Sequence, residues 1–370
     1  MKRKIIINSL LIIITFLSSL LLSTFYFESR SKKTNNSNII ESNNQEKEEV
    51  IKEDILDEKD SDNKDKSFSI KLSFAGDTML AGYKDQTTPG SFNDYVNKKE
   101  PTYFLEKVSS IFKEDDFTIL NLENVLSDSE LAEVSKRTDP AYWYKSKASN
   151  INILSSSSVE GVSVSNNHTG DYGKEGKQDT INSIVNANME YGDYNHIMYF
   201  KKNEFIVAVI CKGLWIESQA NDVIKLIKQA EEKSDYQIVF FHGGTERIHY
   251  PEEWKRSATR KLIDNGADLV IGSHPHVIQP REIYKEKEIV YSLGNFCYGG
   301  NSGPENRTII YQMNLIIDSK TNNLIDEESN IIPCYVYTGN INNYQPAPIE
   351  DENIKNKVID FMNWNVDSPL

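Results

Sequence analysis

Phe68-Ser69-Ile70-Lys71-Leu72-Ser73-Phe74 alternates apolar and polar side chains and runs without a break into Ala75-Gly76-Asp77. Alternation with a period of two reads as a strand with one face on a core, so this stretch delivers an acid at the end of a strand. The same construction recurs five times. Phe117 to Leu120 leads into Asn121-Leu122-Glu123-Asn124, Gly161 to Val164 into Ser165-Asn166-Asn167-His168, and Tyr236 to Phe241 into His242-Gly243-Gly244-Thr245-Glu246. Ala267 to Ile271 leads into Gly272-Ser273-His274-Pro275-His276, and Glu288 to Tyr291 into Ser292-Leu293-Gly294-Asn295.

Helix-like stretches separate these strands at Gly176 to Asn188, Asp222 to Lys233 and Glu252 to Asn265, the last closed by Asn265-Gly266. The alternation predicts a layered α/β body. In such sheets the loops at the carboxyl ends of strands converge on one crevice, so polar loops far apart in sequence are expected at a single site. No internal repeat is present.

Outward from this body, Met1-Lys2-Arg3-Lys4 precedes an apolar run from Ile5 to Phe27. A bilayer span needs about 20 residues, whereas the apolar core of a cleavable signal runs to about 7–15. Length favours a retained transmembrane helix over a cleaved signal, and no Ala-x-Ala-like cleavage site follows. Lys2, Arg3 and Lys4 would hold the start in the cytoplasm, which makes a single-pass protein of the cell membrane with an extracellular body. Residues 28–67 are rich in Asn, Ser, Lys, Glu and Asp and contain no aromatic residue after Glu28 until Phe68. They cannot bury enough apolar surface to order themselves and read as a disordered linker. The expected organisation is an anchor over 1–27, this linker over 28–67, the α/β domain over 68–345 and a C-terminal tail over 346–370, with the stretch after Ile332 expected to pack on the body without adding to the site.

Across 370 residues the formal net charge is −14. Nucleic-acid affinity rests on Lys and Arg neutralising phosphates, so nucleic acid is not an expected partner. Cys211, Cys297 and Cys334 lack the close spacing of a thiolate metal site or a disulfide framework, and buried neutral thiols are the expected outcome.

The strand ends bring together carboxylates, a carboxamide and imidazoles. Zinc, iron and manganese accept such mixed oxygen and nitrogen donors, and a carboxylate can bridge two ions that together activate water and clamp a displacement at phosphorus. Taken singly the same residues have ordinary explanations, Asp77 as a cap and Asn166-Asn167 as turn residues. Their joint occurrence at strand ends points to a site for one or two divalent ions.

These residues carry a resemblance. FAGDTML at Phe74 to Leu80, NLENVLSD at Asn121 to Asp128 and SNNHTGDYGKEG at Ser165 to Gly176 come first. FFHGGTE at Phe240 to Glu246, GADLVIGSHPHVIQPREIY at Gly266 to Tyr284 and YSLGNF at Tyr291 to Phe296 follow in the same order. Over Ser69 to Tyr298 the chain resembles the CapA family of poly-γ-glutamate capsule biosynthesis proteins, related to calcineurin-like metallophosphoesterases. The resemblance implies a metallophosphoesterase-like two-sheet sandwich flanked by helices, in α/β/β/α order. It implies Asp77 and His276 on a first metal, Glu123 as the bridge, and Asn167, His242 and His274 on a second. His168 falls where related enzymes place a general acid or transition-state stabiliser, with Asp171 orienting it. Capsule synthesis and export proteins and the polymer itself are the implied partners.

Two departures from the pattern stand out. Met79 occupies the third position of the usual Asp-x-His, and a thioether is a poor ligand for these ions, so the first metal site reads as incomplete. Gly243 stands where His-Trp-Gly-x-Glu has its Trp, which predicts a wider cleft. Two classes of function follow: a metal-dependent hydrolase of phosphoester or γ-glutamyl amide bonds, and a capsule-machine component whose cleft holds the polymer, with an inactive binding module as the third reading. Lys136, Arg137 and Lys145 lie in the loop after Glu123, where solvated surface is the default expectation.

Overall fold

The computed structural model describes residues 66–83, 86–137, 140–299 and 306–370. The expected span over 1–27 and nearly all of the expected linker lie outside them. No helix among the described residues is long and apolar enough to cross a membrane.

All six strands read from the alternation are present, and they fall into two sheets. The first has seven strands in the order Ala347–Pro348, Leu324–Tyr335, Thr308–Asp318, Ser67–Thr78, Phe117–Leu122, Gly161–Ser163, Glu190–Gly192. The second has six, ordered Ile278–Tyr284, Lys287–Leu293, Leu269–Ser273, Tyr236–His242, Phe205–Gly213, Met198–Lys202. Ser67–Thr78, Phe117–Leu122 and Gly161–Ser163 run parallel, as do Phe205–Gly213, Tyr236–His242, Leu269–Ser273 and Lys287–Leu293. The parallel strands of each sheet therefore present their carboxyl ends together, which is what gathers the polar loops.

Alternation along Ser67–Thr78 sends Ile70, Leu72 and Phe74 into a core between the sheets, shared with Val207, Phe240 and Tyr311. Phe74 and Phe240 meet there edge to face, with ring centroids 5.9 Å apart. Helices cover both outer faces. Ala220–Glu231 and Glu253–Ile263 pack on the second sheet through Val223, Ile227, Ala258 and Leu262. Phe104, Phe112 and Ile184 close the outer face of the first. The layers are helix, sheet, sheet, helix.

The stretch over 346–370, expected as a tail, is built into this core. Asp351 caps the helix Glu352–Met362 by accepting from the backbone of Asn353 and Ile354. Ile354, Val358, Phe361 and Met362 then share one face at helical spacing, and the last three are fully buried between the sheets. All three cysteines are buried and free, and burial raises the Cys211 and Cys297 thiols to about 12.

At the sheet ends remote from the polar loops, burial raises the Asp115 carboxyl to about 6 and that of Glu160 to about 7, with the Asp115 charge adding to the second shift. Glu160 Oε2 accepts from the Thr118 N–H at 2.7 Å, and Asp115 Oδ2 from the Thr118 hydroxyl at 2.8 Å. Folded-state values above the ordinary 3.8 and 4.5 mean the native state holds protons the unfolded chain has released. Their stabilising contribution is complete below those ordinary values and is lost as pH rises through about 6 and 7. Glu160→Gln should therefore gain about 1–2 kcal/mol over the parent at pH 8 and almost nothing at pH 4, after allowance for partial solvent screening. Thermal unfolding at the two pH values checks this; an equal gain at both would remove Glu160 as the source.

Candidate metal centre and its cleft

Asp77 is held by a backbone irregularity that its neighbours require. The register between Ser67–Thr78 and Phe117–Leu122 shifts between Ala75 and Asp77, a bulge of the kind that re-aims a side chain. A Cβ on Gly76 would meet the Gly294 carbonyl oxygen at 1.8 Å, so only glycine allows this approach. Asp77 N–H donates to Gly294 O at 3.0 Å and Asp77 O accepts from Phe296 N–H at 2.7 Å. The end of the first sheet is thereby tied to the loop after Lys287–Leu293.

The two histidines of the Gly272 to His276 loop sit in the left-handed region, at φ 99° for His274 and 59° for His276. Non-glycine residues avoid this region at a cost of about 1–3 kcal/mol each. The conformation places the His274 N–H on Asp77 Oδ2 at 3.0 Å and His276 Nδ1 3.2 Å from the same oxygen. Asn295 Oδ1 lies 2.8 Å from His276 Nδ1.

Glu123 is at the centre. His242 Nε2 lies 3.5 Å and His276 Nε2 3.9 Å from Glu123 Oε1. His242 Nε2 is also 2.8 Å from Asn167 Oδ1 and 3.1 Å from His274 Nδ1. On its other side His242 Nδ1 lies 3.0 Å from Ser273 Oγ and 3.1 Å from Asn121 Nδ2, and the serine hydroxyl donates to Phe241 O at 3.3 Å. These contacts fix the ring with Nε2 turned toward Asn167, His274 and Glu123, the orientation a metal-ligating imidazole takes. Asn121 Nδ2 donates to Asp77 Oδ1 at 2.8 Å and fixes the remaining carboxylate oxygen.

The structure brings together Asp77 with Glu123 and His276, and Glu123 with His242 and His274. A third group adds Glu246 to His274 and His276. Glu246 follows two glycines on an exposed loop, and nothing local in the sequence aims it at the histidines. Met79, buried and bonded through its N–H to Cys297 O at 2.9 Å, lines the same cleft as Glu246.

The chemistry of this donor set fits a cation. Glu123 is wholly buried, and neither of its carboxylate oxygens has a hydrogen-bond partner. Buried polar atoms are almost always paired, and an ionised carboxylate in this position is costly. Burial, followed by the Asp77 charge, raises its pKa well above the ordinary value. Burial would also raise Asp77, but hydrogen bonds and charge from His242 and His276 outweigh it and hold that carboxyl well below the usual range. His276 is pushed up to about 10 against its own burial, chiefly by Glu123 and Asp77, while burial and the neighbouring imidazoles lower His274 to about 2.

His168 and Asp171 form a separate pair on the cleft wall. His168 Nδ1 donates to Asp171 Oδ2 at 2.8 Å, a carboxylate that also accepts from the Tyr144 N–H at 2.9 Å and pairs with Lys136 through its other oxygen. Lys136, expected at a solvated surface, thus braces the acid behind the histidine. Nδ1 is committed to Asp171, and His168 lines the open cleft, which leaves Nε2 as the atom available to a ligand.

At 243 the backbone as it stands leaves no room for a side chain. A Cβ on Gly243 would meet the Leu214 carbonyl oxygen at 1.7 Å, and the next residue, Trp215, sets its ring edge-on to His274 and His242 with centroids 4.8 and 5.8 Å away. An indole from the loop after Phe205–Gly213 walls the histidine pair. Tyr344 lines the cleft as well, so the chain after Ile332 does add to the site.

The family described as Bacterial capsule synthesis protein PGA_cap matches residues 71–299. The PGA biosynthesis protein CapA of Bacillus subtilis (strain 168) is 26% identical over 312 residues, which span 78% of this chain and 76% of that protein. The capsule biosynthesis protein CapA of Bacillus anthracis is 24% identical over 254 residues, 62% of this chain and 60% of that one. Among solved structures, one described as a novel phosphatase from Mycoplasma pneumoniae superposes with a TM-score of 0.43 at 16% identity, covering 72% of this chain and 94% of that one.

Proposed function

The chain belongs to the bacterial capsule synthesis protein family PGA_cap, and from that premise we propose that it acts in the biosynthesis or export of a poly-γ-glutamate capsule or related surface polymer through the cleft around Glu123. The observation that carries this reading is the buried, unpartnered Glu123 carboxylate among Asp77, Asn167, His242, His274 and His276. Those residues would hold one or two ions such as manganese, iron or zinc. A divalent ion there, when bound, would polarise a carboxylate, amide or phosphoryl oxygen and lower the pKa of a bound water. The protein's own contribution is to fix the donors through the Ser273 and Asn295 contacts and to wall the cleft with Trp215 and Tyr298. The placement we propose is a single-pass anchor at 1–27, a tether, and a body on the extracellular side, where a growing polymer leaves the cell beside its synthesis and export proteins.

One observation favours a hydrolytic role within this reading. The His168–Asp171 pair has the geometry of a general acid–base group: Asp171 holds Nδ1–H, and Nε2 of the imidazolium form would give its proton to a leaving group, which leaves the neutral Nδ1–H tautomer. In the host, His242→Ala with His274→Ala, at parental protein level, is expected to lower surface poly-γ-glutamate at least about tenfold. Unchanged polymer would sink the proposed function. Purified parent and His168→Ala, assayed on γ-glutamyl oligomers and on a phosphodiester, separate hydrolase from holder. A fall in kcat of about 100-fold with KM unchanged identifies His168 as the proton donor, and equal rates remove it.

A further inference from the structure

Of the candidate metal donors, His276 and Glu246 line a cleft of about 610 Å³. That is the size of a site for an extended organic ligand, about 300–1,000 Å³, and more than an ion or a free phosphate needs. Tyr83, Tyr142, Tyr144, Tyr298 and Tyr344 share its walls with Met79, Phe92 and polar loop residues. Tyr83 and Tyr142 meet edge to face with centroids 5.7 Å apart, and Tyr142 stacks on Tyr144 at 6.4 Å. Tyr83 and Tyr142 are 36% and 45% exposed although large and partly apolar, so a run of ring surface faces open space beside His168.

Among the described residues that line this cleft, Arg247 is the single Lys or Arg. Its backbone is left-handed at φ 60°, and its N–H donates to Pro275 O at 2.7 Å. That bond ties its loop to the turn carrying His274 and His276. No described acid pairs with its guanidinium, whereas Lys136, the other cation near His168, is committed to Asp171. In a chain of net charge −14, an unpaired Arg held against the metal-donor turn by a strained backbone is a feature that stability does not require.

We propose that Arg247 with the trough of Tyr83, Tyr142 and Tyr144 is a binding subsite for an extended polyanion whose carboxylates are separated by amide and methylene units, one carboxylate on Arg247 while a neighbouring unit reaches the metal donors. This rests on the polymer reading above. Charge density selects the class. A phosphodiester chain needs a series of cations, whereas one guanidinium beside neutral ring faces suits a single carboxylate flanked by uncharged links. Guanidinium binds a carboxylate with two parallel bonds, and tyrosine rings offer both apolar surface and hydroxyls to the links.

The test is calorimetric titration of the full-length chain with γ-linked glutamate oligomers, at a buffered free Mn²⁺ concentration so that chelation by the oligomer does not enter. Arg247→Gln should weaken the parent's Kd at least about tenfold, which is about 1.4 kcal/mol, and Arg247→Lys should recover part of the loss. Mn²⁺ affinity should stay at the parental value in both variants. Tyr142→Ala should weaken the oligomer by a smaller factor. An oligomer Kd unchanged in Arg247→Gln overturns the subsite and leaves the polymer reading standing. A parent that binds Mn²⁺ but no γ-glutamyl oligomer overturns the polymer reading, and the subsite with it. A phosphodiester oligomer bound equally tightly, with the same dependence on Arg247, overturns the carboxylate assignment.

Discussion

Glu123→Gln is expected to weaken divalent-ion binding by at least about 100-fold while making the metal-free protein more stable, by about 1–3 kcal/mol at neutral pH. The two effects have opposite signs because the same carboxylate is a liability without a cation and, on the proposed reading, would be the shared donor with one. Glu123 is fully buried and neither oxygen has a hydrogen-bond partner. Burial and the Asp77 charge raise its pKa, so near pH 7 the folded state must either bind a proton that the unfolded chain has released or bury an unpaired charge. Glutamine fills the same volume without that penalty. With metal present the order reverses, because an ion at 100 times its Kd adds about 2.7 kcal/mol to the parent's stability and little to the variant's. Thermal unfolding with and without Mn²⁺ or Zn²⁺, alongside direct titration, reads both arms. A metal-dependent rise in melting temperature equal to the parent's would place the ion elsewhere. A variant less stable than the parent in both states would mean that Glu123 is structural.

The fold and most of this centre were legible in the sequence for one physical reason. A parallel strand buried on both faces is apolar until it ends, and the first polar residues after it lie at the sheet's carboxyl edge. Asp77, Glu123, His242, His274 and Asn167 all announce themselves in that way. The paired strands Thr308–Asp318 and Leu324–Tyr335 do not, because Asp326-Glu327-Glu328 and Pro333 interrupt the pattern on a strand whose outer positions face solvent. Contacts between loops are harder still. Nothing local aims Glu246 at His274 and His276, ties Lys136 to Asp171, or brings Trp215 to the histidine pair. Each depends on how two loops distant in sequence approach one another.

The approach of the Leu214 and Gly243 loops is where sequence comparison alone misleads, and it carries the second large effect. Restoring the family's aromatic residue with Gly243→Trp is expected to destabilise the fold by at least about 3 kcal/mol. Any Cβ at 243 meets Leu214 O at 1.7 Å and its carbonyl carbon at 2.7 Å, and both are main-chain atoms that rotamer changes cannot move. The backbone has little freedom to retreat, since Leu214 N–H donates to His242 O and Gly243 N–H to Ser273 O, each at 3.0 Å. Relief must come from breaking one of these bonds, and each is one residue from a side chain of the centre or its support. Gly243→Ala should therefore cost nearly as much as Gly243→Trp, although alanine is far smaller. Trp215→Gly, which vacates the space of the existing indole, should not rescue Gly243→Trp, because the obstacle is the Leu214 carbonyl. Melting midpoints of the three variants decide the matter, with falls of several degrees expected. Parental stability in Gly243→Ala, or rescue by Trp215→Gly, would show that the cleft has room for a tryptophan at 243 after all.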